Sequence, residues 1–150
     1  MNEIVAPRAA STVLLLRDSE AAGIEVFMMV RHHQIEFNSG ALVFPGGSVD
    51  RNDREIAANS ALYSGGEGLD EEALGFRIAA IRETFEESGI LLARPKGSNA
   101  LVDAKRASEI EAAHRADLND RKTNFLQVLT DNGMVLALDA LVPYAHWITP

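Results

Sequence analysis

The chain of 150 residues has no cysteine and no long apolar run. The first absence excludes disulfides, thiolate metal sites and a cysteine nucleophile. The second excludes a membrane span, which needs roughly 18 to 20 consecutive apolar residues. The first residues, MNEIVAPRAAS, also lack the basic start and the apolar core of a signal peptide. The composition therefore predicts a cytoplasmic protein without a membrane segment.

Basic residues are scarce relative to acidic ones. The chain has 14 Lys and Arg against 22 Asp and Glu, which gives a formal net charge of −8. Binding to a nucleic-acid polymer depends on clustered lysine and arginine, so this balance argues against such a partner. It is compatible with a small anionic ligand if a divalent cation lies between the ligand and the protein carboxylates. The length suits one domain with its own core.

Short apolar runs in the first part of the chain predict strands. Residues 11–17 (STVLLLR) and 24–31 (IEVFMMVR) are expected to be buried strands, and the polar segment between them to be a hairpin loop. A third short strand at residues 41–44 ends at Pro45-Gly46-Gly47. There we expect the glycines to let the backbone turn and approach a ligand closely.

The clearest helix is predicted for residues 71–88, because its apolar residues recur every three or four positions and Gly89 is suited to end it. Residues 48–70 predict an excursion within the domain, with room for a short helix. After the long helix we expect a strand at 90–94, helices at 103–116 and 121–129, a segment at 134–141 that suits either a strand or a helix, and the start of a strand in the final VPYAHWITP.

Three glutamates lie close together near the end of the long helix. Positions 83, 86 and 87 are related by three and four residues, so Glu83, Glu86 and Glu87 share one face, roughly opposite the apolar stripe. Two interpretations are open at this point. The face is a solvated acidic surface on which Arg82 and Glu86 form an ordinary ion pair, or it is an oxygen-rich site for Mg²⁺ or Mn²⁺.

The wider pattern around these glutamates favours the metal site. The segment RETFEESG (82–89), the upstream FPGG (44–47) and Asp53 together resemble the Nudix box of the Nudix hydrolases, written G-x5-E-x7-R-E-U-x-E-E-x-G-U with U apolar. Thr84 departs from the first U. Asp53 stands for the first glutamate, and 29 positions separate it from Arg82 where the plain box has 8, so 21 residues are inserted. In this respect the chain resembles the Nudix subgroup that includes the peroxisomal coenzyme A diphosphatase, because that subgroup also carries an insertion inside the box.

This resemblance implies a fold as well as a motif. The expected fold class is α/β (α+β), a Nudix α/β/α sandwich with a mixed sheet. Residues 1–150 would form a single domain, with the insertion at about 50–70 and a helical segment at about 103–129. That segment would cap the substrate or pair two subunits. In this subgroup more sheet and another helix follow the WITP segment, so we expect a longer chain or a homodimer to complete the sheet.

The resemblance also implies roles for individual residues. Glu83, Glu86 and Glu87 would hold Mg²⁺ or Mn²⁺, with the Gly46 carbonyl as a further ligand. Arg82 would orient the glutamates, and either Glu83 or Glu86 would be the general base.

The expected substrate contacts come from outside the long helix. Asp53, with Asp50 as the alternative, would do what the first box glutamate does. Gly47, Asp53 and Arg31 are the candidate substrate contacts, although Arg31 also suits a surface position at a strand end.

The activity implied by the resemblance is hydrolysis of a pyrophosphate in a nucleoside diphosphate linked to another moiety. Coenzyme A or an acyl-CoA is the first candidate for the substrate, and ADP-ribose, NADH or a nucleotide sugar is the alternative. A Nudix-like binding or regulatory module without catalysis is a second alternative, because the box is split and Asp53 replaces its first glutamate.

Overall fold

The computed structural model describes residues 7–30 and 40–148. Its helices are α1 (Arg51–Ala57), α2 (Glu71–Ser88), α3 (Ala104–Asn119) and α4 (Phe125–Asn132), with 3-10 turns at Ser60–Leu62 and Leu138–Ala140. Its strands are β1 (Ala10–Thr12), β2 (Leu16–Ser19), β3 (Gly23–Val26), β4 (Met29–Val30), β5 (Leu42–Val43), β6 (Gly46–Ser48), β7 (Tyr63–Ser64), β8 (Ala93–Pro95) and β9 (Met134–Ala137).

The predicted hairpin is present, but its strands are not buried. β2 and β3 pair antiparallel across a turn at residues 20–22. The strand expected at 11–17 is divided between β1 and β2, and the one expected at 24–31 between β3 and β4. Leu16 and Ile24 are each 61% exposed, and within the described residues β2 and β3 pair only with each other. A short apolar run predicts a strand, but it does not reveal whether a second layer covers it.

The Pro45-Gly46-Gly47 segment is not the turn that we expected. Gly46–Ser48 form β6, which pairs antiparallel with β1 in the register Thr12↔Gly46 and Ala10↔Ser48. A side chain at Gly46 would overlap the Ser11 backbone, and one at Gly47 would overlap the Glu83 carboxyl group. Glycine is therefore required at position 46, where β6 is packed closely against the backbone of β1, whereas at position 47 the Glu83 side chain would have to move. The predicted turn is therefore wrong, and the predicted close approach to a ligand stays a prediction, because the neighbours found here belong to β1 and α2.

The excursion after β6 contains the helix α1. Asp50 is its N-cap, and the Asp50 side chain accepts a hydrogen bond from the Asp53 N–H at 3.0 Å. The Asp53 side chain in turn accepts one from the Asp50 N–H at 2.9 Å. This reciprocal capping box fixes the start of the helix and the direction of the Asp53 side chain. α1 then packs against α2.

α2 has the predicted bounds. The Asp70 side chain caps its N-terminus by accepting a hydrogen bond from the Ala73 N–H at 2.8 Å. Gly89 ends it in the left-handed conformation, with φ 76°, which a residue with a Cβ adopts at a cost. The predicted apolar stripe of Leu74, Ile78, Ile81 and Phe85 is buried in the main core.

A three-stranded mixed sheet in the order β7-β9-β8 joins residues 63–64 to two strands in the second half of the chain. β7 runs parallel to β9, and β8 runs antiparallel to it. α3 packs against α2 and α4, and α4 also packs against α1. The predicted mixed sheet and the two later helices are thus confirmed, although α4 begins later than expected because residues 120–123 form turns. The segment 134–141, which suited a strand or a helix, forms β9 and then a 3-10 turn.

The end of the chain differs from its prediction. Residues 141–148 form neither a helix nor a strand, and the last two residues lie outside the described part. Arg77 donates hydrogen bonds from Nη1 to the carbonyls of Leu138 and Leu141, at 2.9 and 3.1 Å, which tie the start of this segment to α2. No helix among the described residues has the length and apolar character to cross a membrane.

Candidate active site

Arg82 is the centre of a buried ionic cluster. Its Nε donates to Asp53 Oδ1 at 2.8 Å, and its Nη2 donates to Asp53 Oδ2 at 2.9 Å. Arg82 is 4% exposed and Asp53 is fully buried. The planar guanidinium matches the two carboxylate oxygens, so the pair is bidentate and directional. It joins α1 to α2.

The same guanidinium holds two of the three glutamates. Arg82 Nη1 donates to Glu83 Oε1 at 2.9 Å and to Glu86 Oε2 at 3.1 Å, and Nη2 also donates to the Ser48 carbonyl at 2.8 Å. The side chains of Glu83 and Glu86 are only 16% and 22% exposed. The pair of Arg82 and Glu86 is therefore not the ordinary surface ion pair of the solvated-face interpretation. The predicted orienting contact of Arg82 with the glutamates is present.

Glu87 is attached to β6. Its Oε2 accepts a hydrogen bond from the Gly46 N–H at 2.8 Å. The bonds Val13 N–H to Pro45 C=O and Val49 N–H to Ala9 C=O flank the paired residues of β1 and β6. Because hydrogen-bonded and non-hydrogen-bonded pairs alternate in an antiparallel ladder, both backbone groups of Gly46 point away from β1. That direction is required of a Gly46 carbonyl that serves as a metal ligand.

The three glutamates lie on the wall of one cavity of about 820 Å³, a size typical of sites for small molecules. Gly46 lies beside them, and Ser88, Arg115 and Asn119 continue the polar lining. The rest of the wall is apolar, from Phe27, Met29, Val30, Val43 and Phe44. A polar, acidic side and an apolar side thus meet in one space.

Burial and neighbouring charges shift the protonation of this cluster. Burial by itself would lower the pKa of Arg82, but the carboxylates of Asp53, Glu86 and Glu83 outweigh it and raise that pKa, so Arg82 keeps its positive charge. Burial raises the pKa of Glu86; Arg82 opposes this shift, and the nearby Glu83 carboxylate adds to it. A second positive charge near Glu86 would therefore relieve an unfavourable interaction.

The donor set fits a hard divalent cation, although the ligands are not arranged around one. Within residues 7–30 and 40–148, no group of three or more His, Cys, Asp or Glu side chains is positioned to hold a metal ion. Arg82 occupies one oxygen of Glu83 and one of Glu86. A carboxylate has two oxygens with about four lone pairs, so both keep capacity for a cation. Carboxylate and carbonyl oxygens are the ligands that Mg²⁺ and Mn²⁺ prefer.

The predicted substrate contacts have different positions. Gly47 lies directly against the Glu83 carboxyl group. Asp53 has no exposed surface and is bound to Arg82 and to the start of α1, so it orients Arg82 and does not reach a substrate in this geometry. Asp50 is 3.7 Å from Arg82 Nε and is half exposed. Arg31 lies outside the described residues.

Two residues of α3 were not anticipated at the site. Arg115 and Asn119 line the same cavity as the glutamates, and both donate hydrogen bonds to backbone carbonyls at the end of α2. The sequence marks Arg115 only as the partner of Glu111, four residues earlier on the same helix. That spacing suggests an ordinary surface pair and does not indicate the contact with α2.

Comparison with known proteins shows the family to which this chain belongs. Residues 59–150 match the family model described as the NUDT19 Nudix domain, which is more than half of the chain. The acyl-coenzyme A diphosphatase NUDT19 of Xenopus laevis is 25% identical over 167 residues, covering 89% of this chain and 44% of the relative. The protein of the same name from Gallus gallus is 30% identical over 162 residues, covering 84% and 43%.

The chain therefore spans less than half the length of these two relatives. A solved structure, the Nudix hydrolase from Alicyclobacillus acidocaldarius, matches with a TM-score of 0.60 and 24% identity, covering 91% of this chain and 59% of that one. At this identity the likeness concerns the fold, and it confirms the predicted α/β class. By the family match over residues 59–150, the chain belongs to the Nudix hydrolases, with the NUDT19 type of Nudix domain.

Proposed function

We propose that the chain is a divalent-metal-dependent pyrophosphohydrolase that cleaves a nucleoside diphosphate linked to another moiety. The observation that carries this proposal is the cavity wall on which Glu83, Glu86 and Glu87 lie beside Gly46, with two of the glutamates held by the buried Arg82. A purely structural cluster has no need to collect three carboxylates on one side of an open cavity.

Coenzyme A or an acyl-CoA is the substrate class that we favour. The Xenopus and Gallus relatives are named acyl-coenzyme A diphosphatases, which supports this assignment by similarity. The cavity has an acidic side for cation-bound phosphates and an apolar side formed by residues such as Phe27 and Phe44. A molecule with a diphosphate next to a long, weakly polar arm suits both sides.

The chain's own residues would divide the chemistry as follows. Mg²⁺ or Mn²⁺, when bound, neutralises charge on the diphosphate and on the leaving phosphate. Glu83, Glu86 and Glu87, with the Gly46 carbonyl, would hold the cation at the cavity wall. Glu83 or Glu86 would accept the proton of the attacking water. Arg82 remains charged and orients both of them, and Asp53 fixes Arg82.

The test is Mg²⁺-dependent hydrolysis of coenzyme A, ADP-ribose and NADH, with products separated by chromatography. We expect Glu86→Gln to lower the rate by about 100-fold or more, since it removes a ligand and a candidate base. Glu72→Gln is the matched control, because it makes the same change in the first turn of the same helix, away from the cavity. Its rate should equal that of the wild type.

The outcomes separate the alternatives. Fastest cleavage of coenzyme A supports the favoured substrate, whereas faster cleavage of ADP-ribose or NADH would keep the pyrophosphohydrolase and replace the substrate. Metal binding without any cleavage would indicate the binding or regulatory module. Equal rates in Glu86→Gln and the wild type would show that Glu86 is neither a required metal ligand nor the general base.

A further inference from the structure

The last turn of α2 is held by a residue of α3. Arg115 Nε donates a hydrogen bond to the Glu86 carbonyl at 2.8 Å, and Arg115 Nη2 donates one to the Glu87 carbonyl. Asn119 Nδ2 also reaches the Glu86 carbonyl, at 3.4 Å. The last carbonyls of a helix have no partner within the helix. Arg115 therefore completes the backbone hydrogen bonding of Glu86 and Glu87, two of the three glutamates on the cavity wall.

Arg115 also compensates the charge at this end of α2. The negative end of the helix dipole coincides with Glu83, Glu86 and Glu87, an arrangement that disfavours the helical turn. α2 has no basic residue of its own in its last turn. The guanidinium of Arg115 supplies a positive charge at that position, as a cation near a helix C-terminus should.

The Arg115 side chain is also held by a carboxylate of its own helix. Its Nη1 donates to Glu111 Oε1 at 2.9 Å. The carboxyl group of Glu111 lies against Gly89, where any Cβ would overlap it. Glu111, Arg115 and Asn119 follow each other at intervals of four on one face of α3. That face is fitted to the end of α2, where Gly89 is needed for its φ of 76°.

We infer that Arg115 is a positioning residue of the active site. It holds the backbone of Glu86 and Glu87 so that their carboxylates stay beside Glu83 on the cavity wall, in place to receive a divalent cation. The inference rests on the proposed function, since it concerns the same cation site. It gives α3 a role in forming the site, in addition to lining the cavity.

The test is Mn²⁺ affinity measured by electron paramagnetic resonance, together with amide hydrogen exchange along α2. We expect Arg115→Gln to weaken Mn²⁺ binding by about 10- to 100-fold, the usual effect of losing a group that orients metal ligands. Exchange should accelerate in residues 83–90 and not in 71–80. Arg115→Lys keeps the charge but not the planar donors, so its Mn²⁺ affinity should lie between those of Arg115→Gln and the wild type.

The matched control is Arg106→Gln, on the same helix. Arg106 Nη2 donates to Asn132 Oδ1 at 3.0 Å, so this variant loosens α3 from the end of α4 and leaves the α2 contact intact. Its Mn²⁺ affinity should equal that of the wild type. Equal weakening in both variants would reduce Arg115 to a general structural role and overturn the inference.

Two further outcomes are decisive. Wild-type Mn²⁺ affinity in Arg115→Gln would overturn the inference and leave the proposed function standing. If Arg115→Gln does not fold, Arg115→Lys takes its place, and wild-type affinity in that variant has the same meaning. A wild-type chain that binds no Mn²⁺ would overturn the proposed function, and the inference with it.

Discussion

Two arginines of this chain each bind an aspartate through two hydrogen bonds, but in different surroundings. Arg82 binds Asp53 through Nε and Nη2 at 2.8 and 2.9 Å. Arg94 binds Asp139 through Nη1 and Nη2 at 2.7 and 2.8 Å. The first pair has side-chain exposures of 5% and 0%, and the second has 16% and 48%. The hydrogen-bond lengths alone would predict that the two pairs stabilise the protein equally.

Their surroundings make the two pairs unequal. A charge left alone in the interior is costly, so removing one partner of a buried pair costs about 3–5 kcal/mol. An exposed pair is hydrated and screened, and contributes about 0–1 kcal/mol. Arg82 also orients Glu83 and Glu86, whereas the additional side-chain partner of Arg94 is Ser64. The buried pair therefore links stability to the candidate active site, and the exposed pair stabilises the β7-β9-β8 sheet locally.

The largest difference should appear when each aspartate loses its charge. We expect Asp53→Asn to lower the free energy of unfolding by about 3 kcal/mol, because Arg82 loses its fully buried counter-charge and keeps only the partly exposed carboxylates of Glu83 and Glu86. Asp139→Asn, the matched variant of the exposed pair, should lower it by less than about 1 kcal/mol. Urea unfolding at pH 7 measures both. Similar losses in the two variants would show that burial does not distinguish the pairs.

A smaller effect should follow when each arginine becomes lysine. One ammonium group cannot bind both oxygens of Asp53 and also reach Glu83 and Glu86. We expect Arg82→Lys to weaken Mn²⁺ binding by about 10- to 100-fold, through the loss of ligand orientation. Arg94→Lys should bind Mn²⁺ as the wild type does. Titration of both variants with Mn²⁺ measures these affinities. Unchanged affinity in Arg82→Lys would show that Arg82 does not orient the residues that bind Mn²⁺.

The smallest effect concerns acid pH at the exposed pair. The hydrogen bonds from Arg94 lower the pKa of Asp139 below its ordinary value. A lowered folded-state pKa gives stability that is fully present above the unfolded-state pKa, about 3.9, and that disappears as the pH falls through the folded-state value. The stability difference between the wild type and Asp139→Asn should thus stay constant from pH 7 to about 5 and vanish in stronger acid. Urea titrations across this range measure it, and a difference that grows on acidification would contradict the assignment.

The parts of the fold that follow from local pattern were predictable. α2 has the predicted bounds because its apolar residues stay on one face and Gly89 ends the helix without strain. The same periodicity placed Glu83, Glu86 and Glu87 on one face, and the box pattern predicted that Arg82 contacts the glutamates, as its hydrogen bonds to Glu83 and Glu86 do.

The parts that depend on contacts between distant segments were not predictable. Gly46 and Gly47 have no side chains to reveal the alternation of a strand, so β6 was interpreted as a turn. Asp53 was expected to contact the substrate. Its burial depends on how α1 packs on α2, which the sequence does not reveal. Arg115 was missed because its partners at the end of α2 are backbone carbonyls, and no residue type in the sequence marks them.

The long separation between Asp53 and Arg82 shows how freely this part of the chain can vary in length. Closing a flexible loop costs entropy that grows only with the logarithm of its length, about 0.6 kcal/mol per doubling. Lengthening the connection from 8 residues, as in the uninterrupted box, to 29 thus costs about 1 kcal/mol. Breaking the buried pair costs several times more. The intervening segment can therefore acquire new structure, such as β7, while the two ends remain joined.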